Sequence, residues 1–344
     1  MKANILEKVK NWIITISRVR DPLRNTPELV ARMLSGEVCV NLGRGMHKYG
    51  VGKLNPQDIG CVQFWTKGPV SNMVEVEPLY HVLKDLIGYN CLIALELTVT
   101  GLGGTFIEPG IKYWEDTAEE LKKVLTLAPT IILPEAVTVR YDPVATLKLN
   151  DGRIISNMNL ELFEEIVKKF TGLGIKRFTT KPLLEAKDGY PQVNEKFNIV
   201  QCCPIPIEQK DFRIFLEEQK KIAKKYNATV IRCCDPDKKE ETGCVDGNLL
   251  LAAGKTLFGN KWNRISLGKR ASRKLCLCND WWDLGMNEGL TTCFTTQAGC
   301  LYCSPSGMRA GTKLAQAVKT EYESFLNNDK SRQYQKLIEE VKKS

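Results

Sequence analysis

Short apolar runs rich in β-branched residues alternate with amphipathic helical runs along this chain. No other feature limits the fold as much. Runs at 12–16, 38–40, 61–65, 92–99, 136–140, 176–179 and 229–232 have the length and residue types of strands. Helical patterns fall at 1–10, 26–35, 76–88, 115–126, 159–171 and 209–226. Thr26 and Pro27 supply a cap and a first-turn proline, and Gly36 stops that helix. Strands alternating with helices imply parallel strands joined by helical crossovers. At 344 residues, with six or seven such units, the expected fold is α/β: a complete or partial parallel β/α (TIM-like) barrel carrying a C-terminal cysteine-rich segment. A doubly wound open sheet is the alternative. The glycines at Gly43-Arg44-Gly45 do not make a phosphate loop, because no Lys-Ser/Thr ending follows.

Polar groups gather just after the strands, as Ser17-Arg18, Thr66-Lys67, Thr98 and Thr100, Arg140 and Asp142, Thr179 and Lys181, and Arg232-Cys233. In parallel β/α folds the carboxyl ends of the strands build the site. Arg18, Lys67, Arg140 and Asp142 are therefore the expected substrate-facing residues. Arg140 suits bidentate binding of a carboxylate or phosphate. Asp142 suits orienting that arginine or accepting a proton. A purely structural Arg140–Asp142 pair is the competing reading.

The cysteines set the chemistry. A chain this long buries a sizeable core without staples, so its thirteen cysteines are not needed for stability. No signal peptide is visible, and no run reaches about 18 apolar residues. The expectation is a cytoplasmic protein with reduced thiols, no membrane partner, and cysteines used for metal or catalysis. Cys39, Cys61 and Cys91 lie in or beside apolar runs and read as packing residues. Cys276, Cys278, Cys293, Cys300 and Cys303 crowd into one short stretch. Cys293, Cys300 and Cys303 can hold three irons of a 4Fe–4S cluster and leave the fourth open. A zinc ribbon needs two C-x2-C pairs, and only Cys300–Cys303 has that spacing. Cys233, Cys234, Cys244, Cys276 and Cys278 remain for a second site. They read as a second cluster, a structural zinc or unliganded thiols.

The net charge is +9, but the basic residues are spread along the chain and are not interleaved with aromatics. A solvated basic surface is favoured over a nucleic-acid interface. His47 and His81 are the only histidines, and both read as ordinary residues.

Several ordered segments carry a resemblance. Ile16-Ser17-Arg18-Val19-Arg20-Asp21-Pro22, Val62-Gln63-Phe64-Trp65-Thr66-Lys67-Gly68-Pro69 and Arg140-Tyr141-Asp142-Pro143-Val144 are three of them. Cys244-Val245-Asp246-Gly247, Trp282-Asp283-Leu284-Gly285 and Gly299-Cys300-Leu301-Tyr302-Cys303 complete the set. Together they resemble a family whose C-terminal cysteines mimic the cluster motif of radical S-adenosylmethionine (SAM) enzymes. The resemblance implies a radical-SAM-like barrel whose cluster loop has moved to the C-terminus, as if circularly permuted. In radical SAM enzymes the amino and carboxylate groups of SAM chelate the open iron. The reduced cluster then cleaves SAM to a 5′-deoxyadenosyl radical that takes a hydrogen from substrate. By position, Tyr302 is the aromatic between the last two ligands, and Thr100 joins it as a cofactor-binding candidate. The usual C-x3-C-x2-C spacing would put the first cysteine at 296, where this chain has Thr296, and Cys293 lies three residues earlier.

The expected organisation is a barrel over 1–232, an iron–sulfur segment over 233–305 and C-terminal helices over 306–344 packed as one unit with the barrel. The expected function is a radical-SAM-like enzyme with one or two 4Fe–4S clusters and SAM. Its partners would be a small anionic substrate and an electron donor such as a ferredoxin or flavodoxin. Two alternatives stand beside it. One is a non-radical enzyme using the open iron as a Lewis acid or sulfur-binding site. The other is a non-enzymatic electron carrier or nucleic-acid-binding protein.

Overall fold

The computed structural model describes residues 11–16, 21–35, 37–41, 49–53, 55–183, 196–198, 200–235, 242–268, 277–279, 282–283, 300, 320, 323 and 338–339. Its centre is a seven-stranded parallel sheet. In chain order the strands are β1 (Trp12–Ile16), β4 (Ile59–Thr66), β5 (Leu92–Thr98), β6 (Val137–Val144), β9 (Arg177–Pro182), β11 (Thr229–Arg232) and the short β12 (Trp282–Asp283). Their spatial order is β11-β9-β6-β5-β4-β1-β12, every pair parallel. From β1 to β11 each strand is added beside its predecessor, with no reversal. The α/β class and the parallel pairing agree with the sequence expectation. Among the described residues no sheet closes on itself.

The crossover helices are α1 (Thr26–Ser35), α2 (Asn72–Glu75), α3 (Glu77–Gly88), α4 (Trp114–Leu127), α5 (Leu160–Thr171) and α6 (Gln209–Lys225). One face of the sheet packs on them. Val62, Phe64, Ile93, Leu95, Val139, Tyr141 and Phe178 meet Leu29, Leu83, Leu121, Phe163, Ile166 and Phe212 in one core. Tyr141, Phe163 and Phe178 form an edge-to-face chain with centroids 5.2 and 6.2 Å apart. Each such contact contributes about 0.5–1.5 kcal/mol beyond its buried area. Asn159 caps α5 by accepting from the Leu162 amide at 3.0 Å.

The opposite face changes character along the strands. Near their amino ends, Ile13, Cys61, Leu92 and Ala94 are apolar and packed under Leu250, Ala253, Trp262 and Ile265. Leu250 and Ala253 belong to α7 (Gly247–Phe258), a helix the sequence reading left within the cysteine-rich segment. Further along, this face carries Gln63, Glu96, Thr138, Arg140 and Thr179. That amphiphilic face explains why several strand runs contain single polar residues.

The run at 38–40 forms β2 (Glu37–Asn41), but it lies outside the main sheet. It pairs antiparallel with β3 (Tyr49–Lys53), a partner a few residues downstream that closes a far shorter loop than a helical crossover. Four short strands, β7 (Thr146–Lys148), β8 (Ile154–Ser156), β10 (Cys203–Ile205) and β13 (Ile338–Glu339), make a separate antiparallel sheet. Each is too brief to leave a periodic signal. The expected helix at 1–10, the loop at 43–45 and most of 306–344 lie outside the described residues. No helix among the described residues is long and apolar enough to cross a membrane.

Candidate functional site

Parallel register puts the polar residues in rows. Trp65, Glu96, Thr138 and Arg177 share one row, and Thr98, Arg140 and Thr179 share the next toward the carboxyl ends. Residues in one row of a parallel sheet face the same way. Glu96 is fully buried there. Gln63 Nε2 donates to its Oε1 at 2.8 Å, and Arg140 Nε stands 3.7 Å from its Oε2. Glu96 Oε2, Gln63 Oε1, Arg140 Nε, Arg177 Nε and Thr179 Oγ1 are buried without a hydrogen-bond partner among the described residues. Such groups are uncommon inside proteins and mark a place where polar chemistry is provided for. Burial pushes the Glu96 carboxyl up to about 8, against the pull of Arg140 and Arg177.

Arg140 is the hub. Its guanidinium stacks 4.4 Å from the centroid of Trp65 and pairs with Asp142. Burial opposes its charge, yet the neighbouring groups, Asp142 foremost, outweigh that and raise its pKa. The expected Arg140–Asp142 neighbourhood is thus present, joined by Glu96, Gln63 and Trp65.

Lys67 lies beyond the end of β4. Its Nζ is 2.7 Å from Glu108 Oε1, a carboxylate only 2% exposed. Burial opposes the Lys67 charge too, but Glu108, Cys300 and Asp142 together raise its pKa. Cys300 is buried, and its thiol and Asp142 each act electrostatically on Lys67, after Glu108. Asp21 fixes this corner, accepting from Thr66 Oγ1 at 2.7 Å and from the Lys67 amide at 2.6 Å. Burial raises the Asp21 pKa, with Arg24 and these hydrogen bonds acting against it. Thr100 is buried; its hydroxyl accepts from the Leu102 amide at 3.1 Å and its carbonyl from Asn157 Nδ2 at 2.8 Å.

A second group of thiols forms at the end of β11. Cys233 Sγ is 3.0 Å from Cys244 Sγ and 3.9 Å from Cys234 Sγ. Cys244 in turn contacts Cys278, whose sulfur accepts from the Val245 amide at 3.4 Å. Bonds from Cys234 and Cys244, with Arg140 and Lys181 nearby, hold the Cys233 thiol below the ordinary range despite burial. Bonding to Cys233 and Cys278, together with burial, holds Cys244 above it. Among the described residues, no three His, Cys, Asp or Glu side chains stand in a ready-made metal geometry.

Arg18, Cys276, Cys293, Tyr302, Cys303 and His47 lie outside the described residues. Cys61 and Cys91 are fully buried, as a packing role requires, and burial pushes the Cys91 thiol up to about 12. His81 is exposed and lies 3.6 Å from Glu77. Sequence reasoning passed over Glu96, Gln63, Glu108 and Asp21. A signal existed for the first two: Glu96 is the only charge in the run 92–99, and Gln63 the only amide in 61–65.

Comparison with curated proteins and with solved structures gives no match. Residues 13–304 match the family described as Domain of unknown function (DUF1848). That span takes in nearly all of the parallel sheet, the polar rows and every cysteine discussed above, and the chain belongs to the DUF1848 family.

Proposed function

We propose that this protein is an iron–sulfur enzyme of the radical-SAM kind, built on a partial parallel β/α barrel and acting on a small anionic substrate. One observation carries the reading: against burial, and after Glu108, the buried Cys300 thiol acts electrostatically on Lys67, which also feels Asp142, the partner of Arg140. A cationic neighbour favours the thiolate that iron ligation requires. The strand order without reversal, the winding of β/α barrels, supports the architecture.

In this reading Cys293, Cys300 and Cys303 hold a 4Fe–4S cluster. When bound there, it supplies an electron, delivered by a ferredoxin or flavodoxin, and an open iron for the amino and carboxylate groups of SAM. The protein's own groups do the rest. Arg140, kept in plane by Trp65, takes the substrate carboxylate or phosphate. Glu96, uncharged at neutral pH, offers a proton or hydrogen bond from the floor of the site. Lys67 and Arg18 add positive charge around the anion, and Thr100 and Tyr302 flank the cofactor.

The seven-residue step from Cys293 to Cys300 favours a second reading, an open iron acting as a Lewis acid without radical chemistry. One experiment separates them. The cluster is reconstituted anaerobically, SAM and dithionite are added, and 5′-deoxyadenosine is measured. Its formation supports the radical reading. An intact cluster by electron paramagnetic resonance with no 5′-deoxyadenosine leaves the Lewis-acid reading. Undiminished iron after Cys293→Ala, Cys300→Ala and Cys303→Ala sinks both.

A further inference from the structure

We infer that Cys233, Cys234, Cys244 and Cys278 form a separate site for one tetrahedral divalent ion of the zinc class. It uses none of the ligands proposed for the catalytic cluster. Its thiols come from three separate parts of the chain: the end of β11, the segment before α7, and the stretch 277–279. Cys244 and Cys278 are buried, at 2% and 3% exposure. Thiols that meet in this way from remote positions, in a chain with no need of staples, are placed for a ligand.

Distance selects a single ion. Zinc–thiolate bonds of about 2.3 Å in a tetrahedron set neighbouring sulfurs about 3.8 Å apart. The sulfurs of Cys233 lie 3.0 and 3.9 Å from those of Cys244 and Cys234. A cubane cluster interposes its own iron and sulfide atoms and needs its ligand sulfurs further apart. Widening the Cys233–Cys244 contact by under an ångström brings that pair to zinc-ligand spacing, and ligation requires the four thiols to rearrange around the ion, since they do not stand in metal geometry without it.

The surroundings suit bound thiolates. The Val245 amide already donates to Cys278 Sγ at 3.4 Å, the kind of outer hydrogen bond that orients a ligating sulfur. The backbone is fixed around the site as well. The Asn279 amide donates to the Val245 carbonyl at 2.9 Å, and the Gly247 amide to Asn279 Oδ1 at 2.7 Å. A Cβ on Gly243 would stand 2.4 Å from the Cys278 amide nitrogen, so the two segments touch backbone to backbone. Binding sends the thiol protons to solvent and involves no change of oxidation state. The ion would pin the stretch 277–279 against the segment before α7.

The test uses the full-length chain with Cys293→Ser, Cys300→Ser and Cys303→Ser, which lacks the proposed catalytic ligands. This keeps failure here distinct from failure of the iron–sulfur reading. Loaded with zinc and dialysed, it should retain about one zinc per chain. Cobalt in place of zinc should give intense thiolate charge-transfer and tetrahedral d–d bands. Adding Cys244→Ser or Cys278→Ser should reduce zinc to below about half an ion per chain, while Cys203→Ser, at an exposed thiol elsewhere, should not. Full zinc retention in both Cys244→Ser and Cys278→Ser, or an octahedral cobalt spectrum, overturns the inference. Alkylation of the parent chain needs no variant to fold. Zinc should shield Cys233 and Cys234, the two partly exposed thiols of the site, from iodoacetamide, and equal labelling of both with and without zinc overturns the site.

Discussion

Arg140 Nε lies 3.7 Å from Glu96 Oε2, near enough to attract the carboxyl and too far to hydrogen-bond it. The attraction is not enough to ionise Glu96 at neutral pH, because burial dominates and lifts its pKa to about 8. The site therefore keeps a neutral acid beside a charged guanidinium. A carboxyl in that state can donate as well as accept.

Stability should record this proton. The folded pKa of about 8 lies above the ordinary 4.5, so between those values the folded chain binds more protons than the unfolded one. The stabilisation is complete below about 4.5 and is lost as pH rises through about 8, at up to about 1.4 kcal/mol per pH unit. Urea unfolding at several pH values across this window should show the decline, and Glu96→Gln should flatten it. Parallel curves for the two proteins would mean that Glu96 is ionised in the fold.

Lys67 and Glu108 should behave as a coupled pair. Lys67→Met strands a carboxylate that is 2% exposed, at about 3–5 kcal/mol. Glu108→Gln added to it should restore much of that loss, for a coupling of about 1–3 kcal/mol in a double-mutant cycle. Additive effects would show that the 2.7 Å contact contributes little. Lys67→Met should also weaken iron retention if the lysine charge favours the Cys300 thiolate.

The parallel sheet was legible because its strands are long, apolar and separated by amphipathic helices. α7 was not foreseen: Gly247–Phe258 is apolar on most sides, so no helical stripe separates it from a strand-like run. The strand-end rule singled out Lys67, Arg140 and Asp142, although β6 runs on to Val144 and holds Arg140 and Asp142 within the strand. It missed Glu96 and Gln63 because each stands as one polar residue inside an apolar run, on a stretch of the second face that α7 leaves polar. Spacing alone offered Cys233, Cys234, Cys244, Cys276 and Cys278 as a loose pool. Packing of 243–247 against 277–279 is what draws Cys244 to Cys278, and that contact depends on glycine at Gly243, which no ligand-spacing rule considers.

Arg140 should not tolerate lysine. The guanidinium stacks on Trp65 while pairing with Asp142, and an ammonium has no plane with which to do both. Arg140→Lys should lose about 1–2 kcal/mol of stability. Added phosphate or a small carboxylate should raise the melting temperature of the parent protein and leave that of Arg140→Lys unmoved. Equal anion protection in both would place the anion site elsewhere.

Two glycine-to-alanine changes in helices should have opposite signs. A Cβ on Gly254 in α7 would stand 2.0 Å from the Trp262 ring, whereas one on Gly88 at the end of α3 meets nothing within 4 Å. Trp262 has little room to retreat: it is 7% exposed and its Nε1 donates to the Asn90 carbonyl at 3.0 Å. Gly254→Ala must therefore lift α7 from the sheet, costing about 1–3 kcal/mol. The same displacement strains the 3.0 Å Arg177–Asp246 bridge at the start of that helix. Gly88→Ala should instead stabilise the fold by up to about 1 kcal/mol, since alanine is the better helix former. Urea midpoints for the two variants should move to opposite sides of the parent. A Gly254→Ala protein as stable as the parent would show that α7 does not pack against Trp262 as described.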